Sequence, residues 1–136
     1  MIAAFLSLIL VVALADLDDA GQLSETESRY LLHWTGWSSE LIDEAIEVMT
    51  CESRRFPNRI GDHGDSIGLF QIQWTPSTWT GWKYAKGMEP FRGSAIDNIV
   101  ANSQAALVIY QNYGGWREWS CKPNEPKRST KNGTDR

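Results

Sequence analysis

The sequence predicts a mostly helical α+β domain. Three observations lead there. Apolar residues recur at helical spacing in the runs around Leu41–Met49 and Ile96–Tyr110. A stretch of Gly, Asp and Asn between them, 58–67, has the composition of a loop or short β-hairpin. With 136 residues, 42% hydrophobic and 22% charged, the chain has ordinary globular usage and is long enough for one domain with its own core.

Residues 2–15 are apolar apart from Ser7. The run is short of the ~20 residues a membrane span needs. It ends in Ala13-Leu14-Ala15, a small-x-small pattern, before Asp16. No Lys or Arg precedes it, yet the rest has the form of an export signal, so 1–15 is expected to be a signal peptide and the protein secreted or in the cell envelope, with a buried first helix as the alternative. Residues 16–23 are read as a polar linker. No stable membrane insertion is expected.

Ser24-Glu25-Thr26-Glu27 has capping-box form, so a short helix should run through Leu31 and Leu32 and break at Thr35-Gly36. Ser38 or Ser39 then caps a central helix. Leu41, Ile42, Ala45, Ile46 and Met49 share one face with Val48 beside them, while Glu40, Asp43, Glu44 and Glu47 lie largely on the other. Glu52 falls at the end of the apolar face, and Pro57 bars any continuation. Gly68–Ile72 is an apolar turn. Asp97 or Ser94 starts the last helix, carrying Ile99, Val100, Ser103, Ala106, Leu107 and Tyr110, and Gly114-Gly115 ends it. Trp116, Trp119 and Cys121 close the domain, placed at 24–121.

The tail 122–136 has five Lys/Arg against two acids, +3, which leaves −7 on the rest of a chain of net charge −4. It is read as a disordered basic tail. An acidic body with no basic, aromatic-interleaved stripe argues against a nucleic-acid partner. The two His stand apart from any Cys/His cluster of ligand spacing, so neither metal nor other cofactor is expected. The two cysteines, Cys51 and Cys121, read as one disulfide in an exported chain, with two buried thiols as the alternative. A monomer is expected. The seven Trp suit both core packing and stacking on sugar rings.

Glu52 combines burial on an apolar face with the negative end of a helix dipole, and both favour a protonated carboxyl. Asp62 and Asp65 sit on a Gly-rich loop. Two carboxyls in such different environments are what cleavage of a glycosidic bond requires: a proton donor and a carboxylate that manages water. The same residues also fit a plain helix end and plain turn formers.

The run Cys51–Gln73 carries a resemblance. Glu52-Ser53 followed by Gly68-Leu69-Phe70-Gln71-Ile72 resembles the Glu-Ser…Gly-Leu-Met-Gln signature of the lysozyme-like superfamily. Gly61 to Gln71 is similar to the corresponding loop of goose-type lysozymes, and the spacing also resembles that of soluble lytic transglycosylases. The resemblance implies a two-lobed helical fold with a small β-hairpin and a cleft that cuts the MurNAc–GlcNAc bond of peptidoglycan. It implies Glu52 as the acid, Asp62 as the residue that positions water, and Ser66, Gln71, Asn98 and Tyr110 as substrate contacts. A second goose-type Asp would fall at Gln73, which is uncharged. Three functions follow as expectations. One is a hydrolase using Glu52 with Asp62. Another is a lytic transglycosylase using Glu52 alone. The third is a non-catalytic glycan-binding module with Trp74, Trp79 and Trp82 on sugars.

Overall fold

A computed structural model of the chain describes residues 21–73 and 98–123. These form a small α+β fold, with three α-helices and a three-stranded antiparallel sheet among the described residues. The signal peptide expected at 1–15, the tryptophans Trp74, Trp79 and Trp82, and the tail beyond Pro123 lie outside the described residues.

Helix α1 (Glu25–Trp34) starts as the sequence requires. Ser24 accepts from the Glu27 N–H, and Glu27 returns the bond to the Ser24 N–H. This satisfies two backbone donors that a helix start otherwise leaves open. Thr35 ends it, its hydroxyl bonding the Leu31 carbonyl at 2.8 Å.

Helix α2 (Ser39–Ser53) has Ser38 at its N-cap, without a side-chain capping bond. It buries Ile42, Ala45, Ile46, Val48 and Met49, the face that the periodicity marks. It stops earlier than Pro57 demands. Arg54 takes a left-handed conformation, φ 54°, and Arg55 follows at φ 61°. The chain then turns through Pro57 into strands β1 (Ile60–Gly61), β2 (Ser66–Ile67) and β3 (Ile72–Gln73). Ile60 pairs with Ile67 and Gly61 with Ser66; Ser66 pairs with Gln73 and Ile67 with Ile72.

Helix α3 (Ile99–Asn112) is capped by Asn98, whose side-chain oxygen accepts from the Val100 and Ala101 N–H groups. The expected starters Asp97 and Ser94 lie outside the described residues. A short 3-10 helix, Gly115–Glu118, follows.

Two boundaries move. Residues 21–23, the described end of the expected linker, are docked: Leu23 is fully buried, donates its N–H to the Arg55 carbonyl at 2.9 Å and accepts from Arg55 Nε. Lys122, assigned to the tail, belongs to the domain. Its ammonium bonds the carbonyls of Trp116, Arg117 and Trp119 at the end of the 3-10 helix, where a cation offsets unsatisfied carbonyl oxygens.

Aromatic rings hold the centre. Trp37 stacks between Phe70 and Trp116, with centroids 5.5 Å away on either side and planes within 8°. Its indole N–H reaches Ser103 on α3, whose hydroxyl is 2.6 Å from that of Thr35. Trp116, Trp119 and Trp37 are core residues; Trp34 is exposed.

Candidate active site

A small open pocket, about 80 Å³ in volume, lies beside the C-terminal end of α2. Glu52 lines it from the last turn of α2. Asp62, Ser66, Gln71, Ile72 and Gln73 come from the hairpin and its turns; Glu118, Trp119 and Ser120 come from the closing segment; Ile109 comes from α3.

Glu52 is half-buried, and its Oε1 accepts the Cys121 backbone N–H at 3.1 Å. Its pKa is raised. Desolvation by burial is the main cause, and the neighbouring Asp62 charge adds to it. The N–H groups of Cys121 and Ser120 and the charge of Lys122 oppose the rise. Burial wins, because taking a carboxylate out of water costs more than these partners return.

Ser53 ties the acid to the next element. Its buried hydroxyl donates to the Leu69 carbonyl at 2.7 Å and to Met49, and accepts from the Arg55 N–H. The helix end that bears Glu52 is thus fixed to the Gly68–Ile72 turn.

That turn is held from the other side by Asn102, fully buried on α3. Its amide oxygen accepts from the Phe70 N–H at 2.9 Å and its amide nitrogen donates to the Ile67 carbonyl at 2.8 Å. Gly68 is required twice. Its φ is +81°, and a Cβ there would lie 2.4 Å from the Asn102 nitrogen. Trp119 adds a third tie, its indole N–H donating to the Phe70 carbonyl at 2.9 Å.

Gln71 has φ 49°, and its amide donates to the carbonyls of Arg59 and Gly68 at 3.0 Å. Its oxygen takes the space where a Gly61 side chain would stand, 2.4 Å from the Cβ position. Asp62 is exposed in the hairpin loop at φ 49°, and its Oδ2 accepts from the Ser66 hydroxyl at 2.5 Å. Ser66 itself is buried, so the described bond makes it a support for Asp62.

The pocket thus brings together Glu52, Asp62, Ser66 and Gln71. Asn98 and Tyr110 are not among its lining residues. The Asn98 side chain serves as a helix cap. The Tyr110 ring packs against Trp116 and Trp37, with centroids 4.9 and 5.8 Å away. Among the described residues, Asn98 is thus seen as a cap and Tyr110 as a ring packed on the core. Asp65 does not line the pocket either; its exposed side chain stands elsewhere on the same loop.

Sequence reasoning passed over Glu118, Ser120, Ile109 and Asn102. One signal was available for the first two. The bridge between Cys51 and Cys121 forms, with Cα atoms 6.0 Å apart, and necessarily draws 118–120 toward Glu52. Glu44, expected on the solvated face, instead accepts from the Trp116 indole at 2.8 Å. Among the described residues there is no cluster of three or more His, Cys, Asp or Glu suited to a metal ion, and no helix long and apolar enough to cross a membrane.

Comparison of the chain with protein-family models, with curated proteins and with solved structures gives no match.

Proposed function

We propose that the protein is a secreted, peptidoglycan-cleaving glycosidase of lysozyme-like fold, acting on the MurNAc–GlcNAc bond with Glu52 as general acid. The observation that carries the reading is the raised pKa of Glu52 in a pocket that also holds Asp62. A carboxyl whose proton is held more tightly than usual can transfer it to the glycosidic oxygen as the C–O bond breaks. Asp62, held by Ser66, would accept a proton from the water that attacks the anomeric carbon. Gln73, exposed on β3, supplies an amide group that suits the hydroxyl and acetamido groups of a glycan, while the Gln71 amide nitrogen is engaged by the Arg59 and Gly68 carbonyls.

The test is digestion of purified peptidoglycan with mass spectrometry of the products. Glu52→Gln should remove ~10²–10⁴-fold of the rate, the share that a general acid supplies, while the fold stays intact. Near wild-type lysis by that variant sinks the assignment.

A second reading is favoured by Gln73, an uncharged pocket residue where goose-type lysozymes carry an Asp. In a lytic transglycosylase, Glu52 first protonates the leaving oxygen and then takes the proton of the sugar's own 6-hydroxyl as it attacks. Products would be 1,6-anhydro sugars, and Asp62→Asn would change the rate little. Under the hydrolase reading, products carry reducing ends and Asp62→Asn cuts turnover at least ~10-fold. A glycan-binding module without catalysis would need no protonated acid.

A further inference from the structure

We propose that the Cys51–Cys121 disulfide is a positioning device for the Glu52 carboxyl, so that cleavage of this bridge by a dithiol disengages the acid. The inference rests on the reading of Glu52 as the acid. Cys51 directly precedes Glu52 on the last turn of α2, and its partner across 70 residues supplies the N–H that Glu52 Oε1 accepts at 3.1 Å. The bridge and the hydrogen bond therefore span the same two segments side by side. The residues before Cys121, Glu118 to Ser120, form part of the pocket wall. That wall is held at one end by the Trp119 indole on the Phe70 carbonyl and at the other by the bridge.

Cys51 is solvent-exposed, so the bridge is open to attack. One thiolate of the dithiol attacks a bridge sulfur, and the second displaces it. Two electrons and two protons pass to the protein, the S–S bond becomes two thiols, and the reductant closes to its own disulfide. Without the bridge, the Cys121 N–H is no longer held to the carboxylate. The charged and titratable groups that face Glu52 are Asp62 from the hairpin loop, Glu118 from the 3-10 helix and Lys122 after the bridge.

The experiment uses the full chain in oxidised form, in dithiothreitol, and as the Cys51→Ser/Cys121→Ser double variant. Carboxyl and amide NMR are followed against pH beside peptidoglycan digestion. In the oxidised protein, the Cys121 amide proton should shift with the Glu52 ionisation and stay flat in Glu52→Gln. In the reduced and double-variant proteins, the Glu52 midpoint should rise and turnover should fall ~10- to 10²-fold, as expected when a reacting group is misplaced by an ångström or so. A flat Cys121 amide in the oxidised protein overturns the proposal, whether or not the reduced chain folds. So does an unchanged Glu52 midpoint in a folded reduced protein. If the oxidised protein releases no fragments, the catalytic reading falls instead, and the NMR comparison still decides the positioning role.

Discussion

The three helices and the segment 54–73 hold their backbones by different means. The helices use local bonds: Ser24 and Asn98 cap α1 and α3 with their own side chains, and helical φ/ψ follows from there. The segment 54–73 bends against local preference. Among the described residues, the non-glycine positions with positive φ are Arg54, Arg55, Asp62, His63 and Gln71, all within it. A side chain in that region costs of order 1 kcal/mol or more, so something distant must hold it. Here the holders are Ser53, Asn102 and Trp119, each bonding a carbonyl or N–H of the 67–70 turn. Two of these pocket residues, Asp62 and Gln71, are themselves in the strained set. The pocket is therefore built from backbone that these outside ties and the loop's own side-chain bonds, Gln71 to the Arg59 and Gly68 carbonyls and Ser66 to Asp62, keep in shape together.

The hardest blow to that arrangement is Asn102→Leu. It fills a similar volume but leaves the buried Phe70 N–H and the part-buried Ile67 carbonyl without their described partner. Each unsatisfied buried group costs ~1–3 kcal/mol, so a loss of about 2–5 kcal/mol is expected in denaturant unfolding. Glycan cleavage should fall as well at temperatures where the variant is still folded, because the turn bearing Gln71 is released. A stability change under about 1 kcal/mol would mean that the turn holds its own shape.

This contrast explains what was legible beforehand. The capping box, the apolar face of α2, the hairpin between 58 and 67 and the bridge are each encoded by residues whose chemistry acts within a few positions or by a unique pairing. Asn102 gives no such signal. It sits one place before Ser103 on a helix whose other buried positions are mainly apolar, and its partners lie 32 and 35 residues away. The structural uses of Asn98 and Tyr110 are hidden in the sequence for a related reason. Asn is both a good glycan contact and a good helix cap, and Tyr is both a good platform and a good core ring; only the packing tells which is in use.

A smaller effect, confined to the scaffold, comes from Ser24→Ala. It removes the hydroxyl that accepts from the Glu27 N–H and should cost ~1 kcal/mol of stability. Because α1 contributes no pocket residue, turnover per folded molecule should be unchanged. A loss of activity beyond the loss of folded protein would show that α1 and the pocket are coupled, and would blur the division between the two regions.

The last expectation has the opposite sign, and it separates a residue selected for chemistry from one selected for stability. Glu52 titrates above its ordinary value of 4.5 because the folded protein desolvates it. A carboxyl with a raised folded pKa binds its proton more tightly in the native state than in the unfolded chain. Its favourable contribution is complete below the unfolded value and is lost as pH rises through the folded one. Gln at this position cannot ionise, yet its side-chain oxygen can still accept the Cys121 N–H. The melting temperature of Glu52→Gln relative to wild type should therefore be constant in acid, increase in favour of the variant as pH climbs past about 4.5, and level off above the native pKa. Scanning both proteins from acid to neutral pH measures this directly. A difference that stays flat, or that swings toward wild type, would mean that the N–H donors and Lys122 outweigh burial, and Glu52 would then be ionised at neutral pH and poorly suited to donate a proton.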